Sequence, residues 1–79
     1  MKVFSGYYIN IDDPCYHKVV YVLGNTKEEC IELLSQINVE NFELLKKSIN
    51  YLCDFNELED FEKKLFQNSR VHIFDAEHC

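Results

Sequence analysis

The sequence predicts one small α+β domain spanning 1–79, ordered ββαααβ, with a three-stranded, mainly antiparallel sheet and helices packed on one face. Three observations carry that expectation. Two segments near the N-terminus alternate apolar and polar residues with period two, and a short third one returns near the end. Between them the apolar spacing changes to three and four. At 79 residues, 47% of them apolar, the chain has material for one core and no more, which excludes global disorder.

Lys2 to Ile11 reads as a strand, with Val3, Tyr7, Ile9 and Ile11 at period-two positions. Asp12-Asp13-Pro14-Cys15 comes next as a turn, because Asp bonds its own backbone and Pro presets φ. Tyr16 to Leu23, rich in Val and Tyr, is the second strand of a hairpin, ended by Gly24-Asn25. Thr26 and Glu29 then form a capping box. The helix it opens presents Cys30, Leu33, Leu34 and Ile37 to the core. After a break over 38–41, a second helix from about Glu40 to Cys53 places Phe42, Leu45, Ile49, Leu52 and Cys53 on one side. The segment 54–57 breaks or bends it, since Asp54 and Asn56 can each cap a new helix. A third helix, about Glu57 to Asn68, buries Leu58, Phe61 and Leu65. Arg70 to Asp75 is a short closing strand, apolar at Val71, Ile73 and Phe74, and 76–79 is a tail. Counting reversals brings that strand antiparallel to the first and gives strand order 2-1-3; continuity of helices two and three would invert its direction.

Apolar surface exceeds what one core needs. On helix two, Leu44, Tyr51 and Phe55 cluster almost opposite the buried side, and both faces of the hairpin carry apolar residues. Either the second helical stripe or one sheet face is left over. Such surface marks an interaction site or an oligomer interface; the plainer alternative is that tyrosine hydroxyls and chain ends wet it.

The net charge of −6 is concentrated. Residues 28–62 hold ten acidic side chains against Lys46 and Lys47, a net −8, while 1–27 and 63–79 each sum to +1. Glu43–Lys47, Glu59–Lys63 and Asp60–Lys64 have the spacing of favourable i,i+4 pairs. Glu28, Glu29 and Glu32 form a stripe on helix one with no lysine among them, and Glu40, Asp54, Glu57 and Glu62 also lack a close partner in sequence. These carboxylates disfavour direct nucleic-acid binding and an anionic membrane surface. They suit steering toward a protein partner with a basic surface, such as one that itself handles nucleic acid. Solubility alone is the plainer explanation. The candidate partner-binding residues are therefore Glu28, Glu29, Glu32, Leu44, Tyr51, Asp54, Phe55 and Glu57.

No catalytic or metal site is expected, and no cofactor. Cys15, His17, His78 and Cys79 offer zinc-compatible elements, but their spacing is unlike C-x₂₋₄-C with H-x₃₋₅-H. Cys15 and His17 lack an orienting third group, and two glycines make no phosphate-binding loop. The N-terminus lacks a signal-like apolar run and the cysteine spacing fits no disulfide framework, so a cytoplasmic protein with reduced thiols is expected, with a structural disulfide as the minority alternative. In size and lack of catalytic machinery the chain resembles, in type and not in sequence, the small inhibitors carried by phages and mobile elements. The reading is a non-enzymatic binding module, with a homodimer built on the second apolar face as the alternative and a Cys/His metal-binding regulator as a distant third.

Overall fold

The hairpin organises the molecule. The computed structural model describes residues 1–9, 15–37, 39 and 41–77. In it β1 (Lys2–Ile9) and β2 (Tyr16–Gly24) pair antiparallel from Lys2↔Gly24 to Ile9↔His17. Ile11 and the expected turn at 12–14 lie outside the described residues. Next come α1 (Lys27–Gln36) and α2 (Phe42–Ser48), then β3 (Asn50–Asp54), α3 (Asp60–Lys63) and β4 (Val71–Glu77). Turns of 3₁₀ helix, Phe55–Glu57 and Lys64–Phe66, flank α3. The result is an α+β domain with a four-stranded antiparallel sheet in the order β3-β1-β2-β4.

That arrangement corrects the expected ββαααβ order and the 2-1-3 sheet. The second helix stops at Ser48, and β3, read as its C-terminal half, pairs with β1 instead. Ile49, Leu52 and Cys53 satisfy a helical spacing, yet Tyr51 and Cys53 also satisfy a strand spacing, and the open edge of β1 decides between them. β1 presents unpaired backbone groups there, and hydrogen bonds to a strand satisfy them where a helix cannot. Ser48 marks the switch: its hydroxyl donates to the Leu45 carbonyl at 2.7 Å and accepts the Tyr7 N–H at 2.9 Å. With β3 beside β1, the closing strand has only the β2 edge left, and it lies antiparallel to β2 from Tyr16↔Glu77 to Val22↔Val71. The third helix is also shorter than expected, one turn between two 3₁₀ turns.

One sheet face is closed. Phe4 and Tyr8 of β1, and Val20 and Val22 of β2, point to the side where α1 and α2 bring Cys30, Leu34, Leu45 and Ile49. Thr26 caps α1, its hydroxyl accepting the Glu29 N–H at 3.1 Å. Asn41 starts α2 with φ 55°, a left-handed conformation that Asn tolerates better than most residues. Gly6 and Gly24 let the helices approach: a Cβ on Gly6 would lie 2.6 Å from Ile49 Cδ1, and one on Gly24 2.7 Å from Cys30 Sγ. Burial raises the Cys30 thiol to about 11, so it behaves as a small apolar side chain. Ile37, expected inside, is exposed because α1 ends at Gln36.

The other face carries Val3, Tyr7, Val19, Tyr21 and Leu23, with His72 and Phe74 of β4 in register beside them. Among the described residues it is covered only at one end, by the segment running from Phe55 to Phe66. Helices on a single face are thus corrected to two on one face and a short one on the other.

Candidate functional site

The partly covered face forms a trough. Val3 and Tyr21 make its floor; Leu52, Phe61, Leu65 and Phe74 wall a hollow of ≈ 270 Å³ in which Glu62 is, among the described residues, the one acidic lining residue. A second hollow of ≈ 300 Å³, with Tyr7 and Val19, shares Tyr21 and Leu52 with the first and so extends the trough along the strands. Val3 is fully buried beneath it, whereas Phe61 is 72% exposed and Tyr7 59%. Leu52 and Leu65 are also exposed, which corrects the expectation that Leu52, Phe61 and Leu65 lie in the core. The segment 55–66 is too short to shield them, since α3 supplies a single turn.

Aromatic rings stiffen the covered end. Phe55 meets Phe66 edge-on at 6.4 Å, Phe66 meets His72 at 5.2 Å, and Tyr21 meets Phe74 at 5.9 Å. His72 stacks on Phe74, and its Nε2 is buried without a hydrogen-bond partner.

Carboxylates gather at the corner where β3 enters this segment. Burial first, then the charges of Glu57, Glu62 and Asp54, lift the Cys53 thiol above its ordinary value. Burial also raises the Tyr51 hydroxyl, helped by its hydrogen bond to Asp54 Oδ1 at 3.1 Å and by the charge of Glu57. Glu62 turns back to accept the Glu59 N–H at 3.0 Å, capping α3. The spacing-based pairs Glu43–Lys47, Glu59–Lys63 and Asp60–Lys64 do not close into ion pairs; Lys63 lies over the Phe55 ring at 5.9 Å instead.

The eight residues singled out from sequence do not form one site. Tyr51, Asp54, Phe55 and Glu57 sit together at the β3 corner. Leu44 is exposed on α2, and the helical stripe expected to join it with Tyr51 and Phe55 does not exist, because those two belong to β3 and a 3₁₀ turn. Tyr51 packs edge-on against Phe4 at 6.0 Å. Glu28 and Glu32 are exposed on α1, which lies over β2, on the far side of β1 from the corner.

Glu29 has a structural task. Its carboxylate accepts the Asn25 N–H at 3.0 Å and pairs with Arg70, whose Nε–H donates to the Leu23 carbonyl at 3.0 Å. The Arg70 hydrogen bond and the Asn25 N–H hold Glu29 below the usual carboxylate range. Sequence reading assigned no site role to Arg70, to Glu62, which it noted only as an unpaired acid, or to the trough walls, which it placed in the core or the closing strand. Glu29 and Arg70 are 41 residues apart, and only the docking of α1 beside the entry to β4 brings them together.

Cys30 and Cys53 are free thiols, whereas Cys15 is disulfide-bonded, which corrects the expectation of four thiols. A disulfide sulfur is neither a thiolate nucleophile nor a thiolate ligand, so Cys15 carries neither the catalytic nor the metal reading. His78 and Cys79 lie outside the described residues. Among the described residues no group of three or more His, Cys, Asp or Glu is placed to hold a metal ion, and no helix is long and apolar enough to cross a membrane. No protein-family model, curated protein or solved structure matches this chain.

Proposed function

We propose that the chain is a small non-enzymatic binding module that docks on a protein partner with a basic surface, as a regulator or inhibitor. An inhibitor of a nucleic-acid-handling host protein, of the anti-defence kind, is its most concrete form. The open trough carries this reading: two adjoining, largely apolar hollows on the sheet that share Tyr21 and Leu52, with Glu62 in the lining of the first and Ser5, Ser48 and Asn50 in that of the second. Burying the exposed Phe61, Tyr7 and Leu52 would supply affinity, and the carboxylates would speed encounter with a cationic surface. Each hollow is at or below the low end of the ~300–1,000 Å³ typical of small-molecule sites, which favours an anchoring side chain over a metabolite. Glu28 and Glu32 add to the long-range field without joining the contact.

The test is binding to a partner captured from the native cell and then purified. Association should slow as salt rises, and Phe61→Ser should weaken binding roughly tenfold or more. A partner indifferent to both salt and Phe61 excludes the proposal.

A cytoplasmic location is the corresponding proposal, supported by the free thiols of Cys30 and Cys53, although the bonded Cys15 pulls the other way. Counting thiols on denatured protein taken directly from its cell decides the matter. A full set of reduced cysteines supports the cytoplasm, and a persistent bridge supports an oxidising compartment.

A further inference from the structure

The two edges of the sheet are built differently. β3 is five residues long, flanked by the exposed polar Asn50 and Asp54, and its register with β1 shifts between Val3 and Phe4. Short, bulged, charged edges resist pairing with another chain. β4 has seven residues with no proline, glycine or lysine in its Val-His-Ile-Phe-Asp-Ala-Glu run, and its register with β2 is unbroken. Ile73 and Phe74 are both exposed on it.

Hydrogen-bond alternation identifies the groups this edge offers. Leu23 N–H donates to the Arg70 carbonyl at 2.8 Å, so with the observed register His72 and Phe74 direct their backbone groups to β2. Val71, Ile73 and Asp75 therefore direct theirs outward. Val71 is already served, because Ser69 Oγ accepts its N–H at 3.2 Å and donates to its carbonyl at 2.9 Å. Among the described residues, that leaves the N–H and C=O of Ile73 and of Asp75 as an open pair in the middle of the strand, with Glu77 in the same phase at its end.

We propose that β4 pairs with β4 of a second copy of this chain, antiparallel about a two-fold axis, joining two sheets into one of eight strands. The open pair is self-complementary: Ile73 of one copy bonds Asp75 of the other, and the two-fold axis repeats the match. This register sets the two Phe74 side chains against each other on the trough face and keeps the two Asp75 carboxylates from lying directly opposite, where like charges would repel. This pairing is made by the backbone of the edge and meets the trough only at Phe74, and it does not rest on the docking reading above.

The test is light scattering on the full chain at micromolar concentration with charge substitutions at the paired positions. The wild type should be a dimer. Ile73→Asp, which sets a carboxylate opposite Asp75 of the second copy at two symmetric places, should raise the dimer Kd about tenfold or more. Adding Asp75→Asn should restore the dimer by removing each carboxylate clash without setting a lysine opposite Lys18, which pairs with Asp75 at 3.8 Å. Circular dichroism melting confirms that both variants fold. A monomeric wild type overturns the proposal, as does a folded double variant that stays monomeric. So does a dimer that Phe61→Ser dissociates and Ile73→Asp leaves intact, because that dimer would be held by the trough.

Discussion

The two faces of the sheet are made from the same two strands and have opposite fates. Even-numbered residues of β1 and β2 meet α1 and α2, and there Leu34, Leu45, Ile49 and Cys30 lose all contact with water. Among the described residues, the odd-numbered ones meet only the segment 55–66, so Val3 and Leu23 are buried at one end while Tyr7 and Ile9 stay exposed at the other. The difference is one of supply. α1 and α2 bring seventeen helical residues to one face, and α3 brings four to the other. The closed face accounts for folding, and the open face is what the molecule has available for contact.

Substitutions separate those roles. Leu45→Ala or Leu34→Ala should destabilise the domain by about 2–5 kcal/mol, a large part of the ~5–15 kcal/mol typical of a small protein, as read from denaturant unfolding. Gly6→Ala should cost roughly 1–3 kcal/mol, because the added methyl meets Ile49 Cδ1 and Ser48 Oγ where α2 hands over to β3. If Gly6→Ala is neutral, the close packing of α2 on β1 is not needed for the fold.

Smaller effects lie between the faces. Glu29 has a lowered pKa in the folded state, so its contribution is present above the unfolded value and is lost as pH falls through and below the ordinary carboxylate range. Thermal melts should hold steady from neutral pH down to about 5 and decline below about 4.3, and Glu29→Gln should flatten that Glu29-linked part of the decline. Phe61→Ser, on the open face, should change stability by no more than ~0.5 kcal/mol while still weakening partner binding. A large loss of stability there would mean that the trough wall belongs to the core.

The hairpin, the Thr26 cap and the buried faces of α1 and the first half of helix two were legible because each is a local pattern. So was the surplus of apolar surface, although its location was not. The expected helical stripe of Leu44, Tyr51 and Phe55 dissolved once residues 50–54 became a strand. A run with both helical and strand spacing contains no local answer.

What the sequence by itself determined is composition and local preference: one α+β core, a hairpin, a capped helix, an acidic middle and more apolar surface than one core uses. The tertiary structure decided the rest. The unpaired edge of β1 recruited 50–54 as a fourth strand, which displaced β4 to β2, set Arg70 against Glu29, and left the odd-numbered sheet face open beside the carboxylates of the β3 corner. Backbone groups on a strand edge must find partners, and which segment supplies them depends on contacts between residues far apart in the chain.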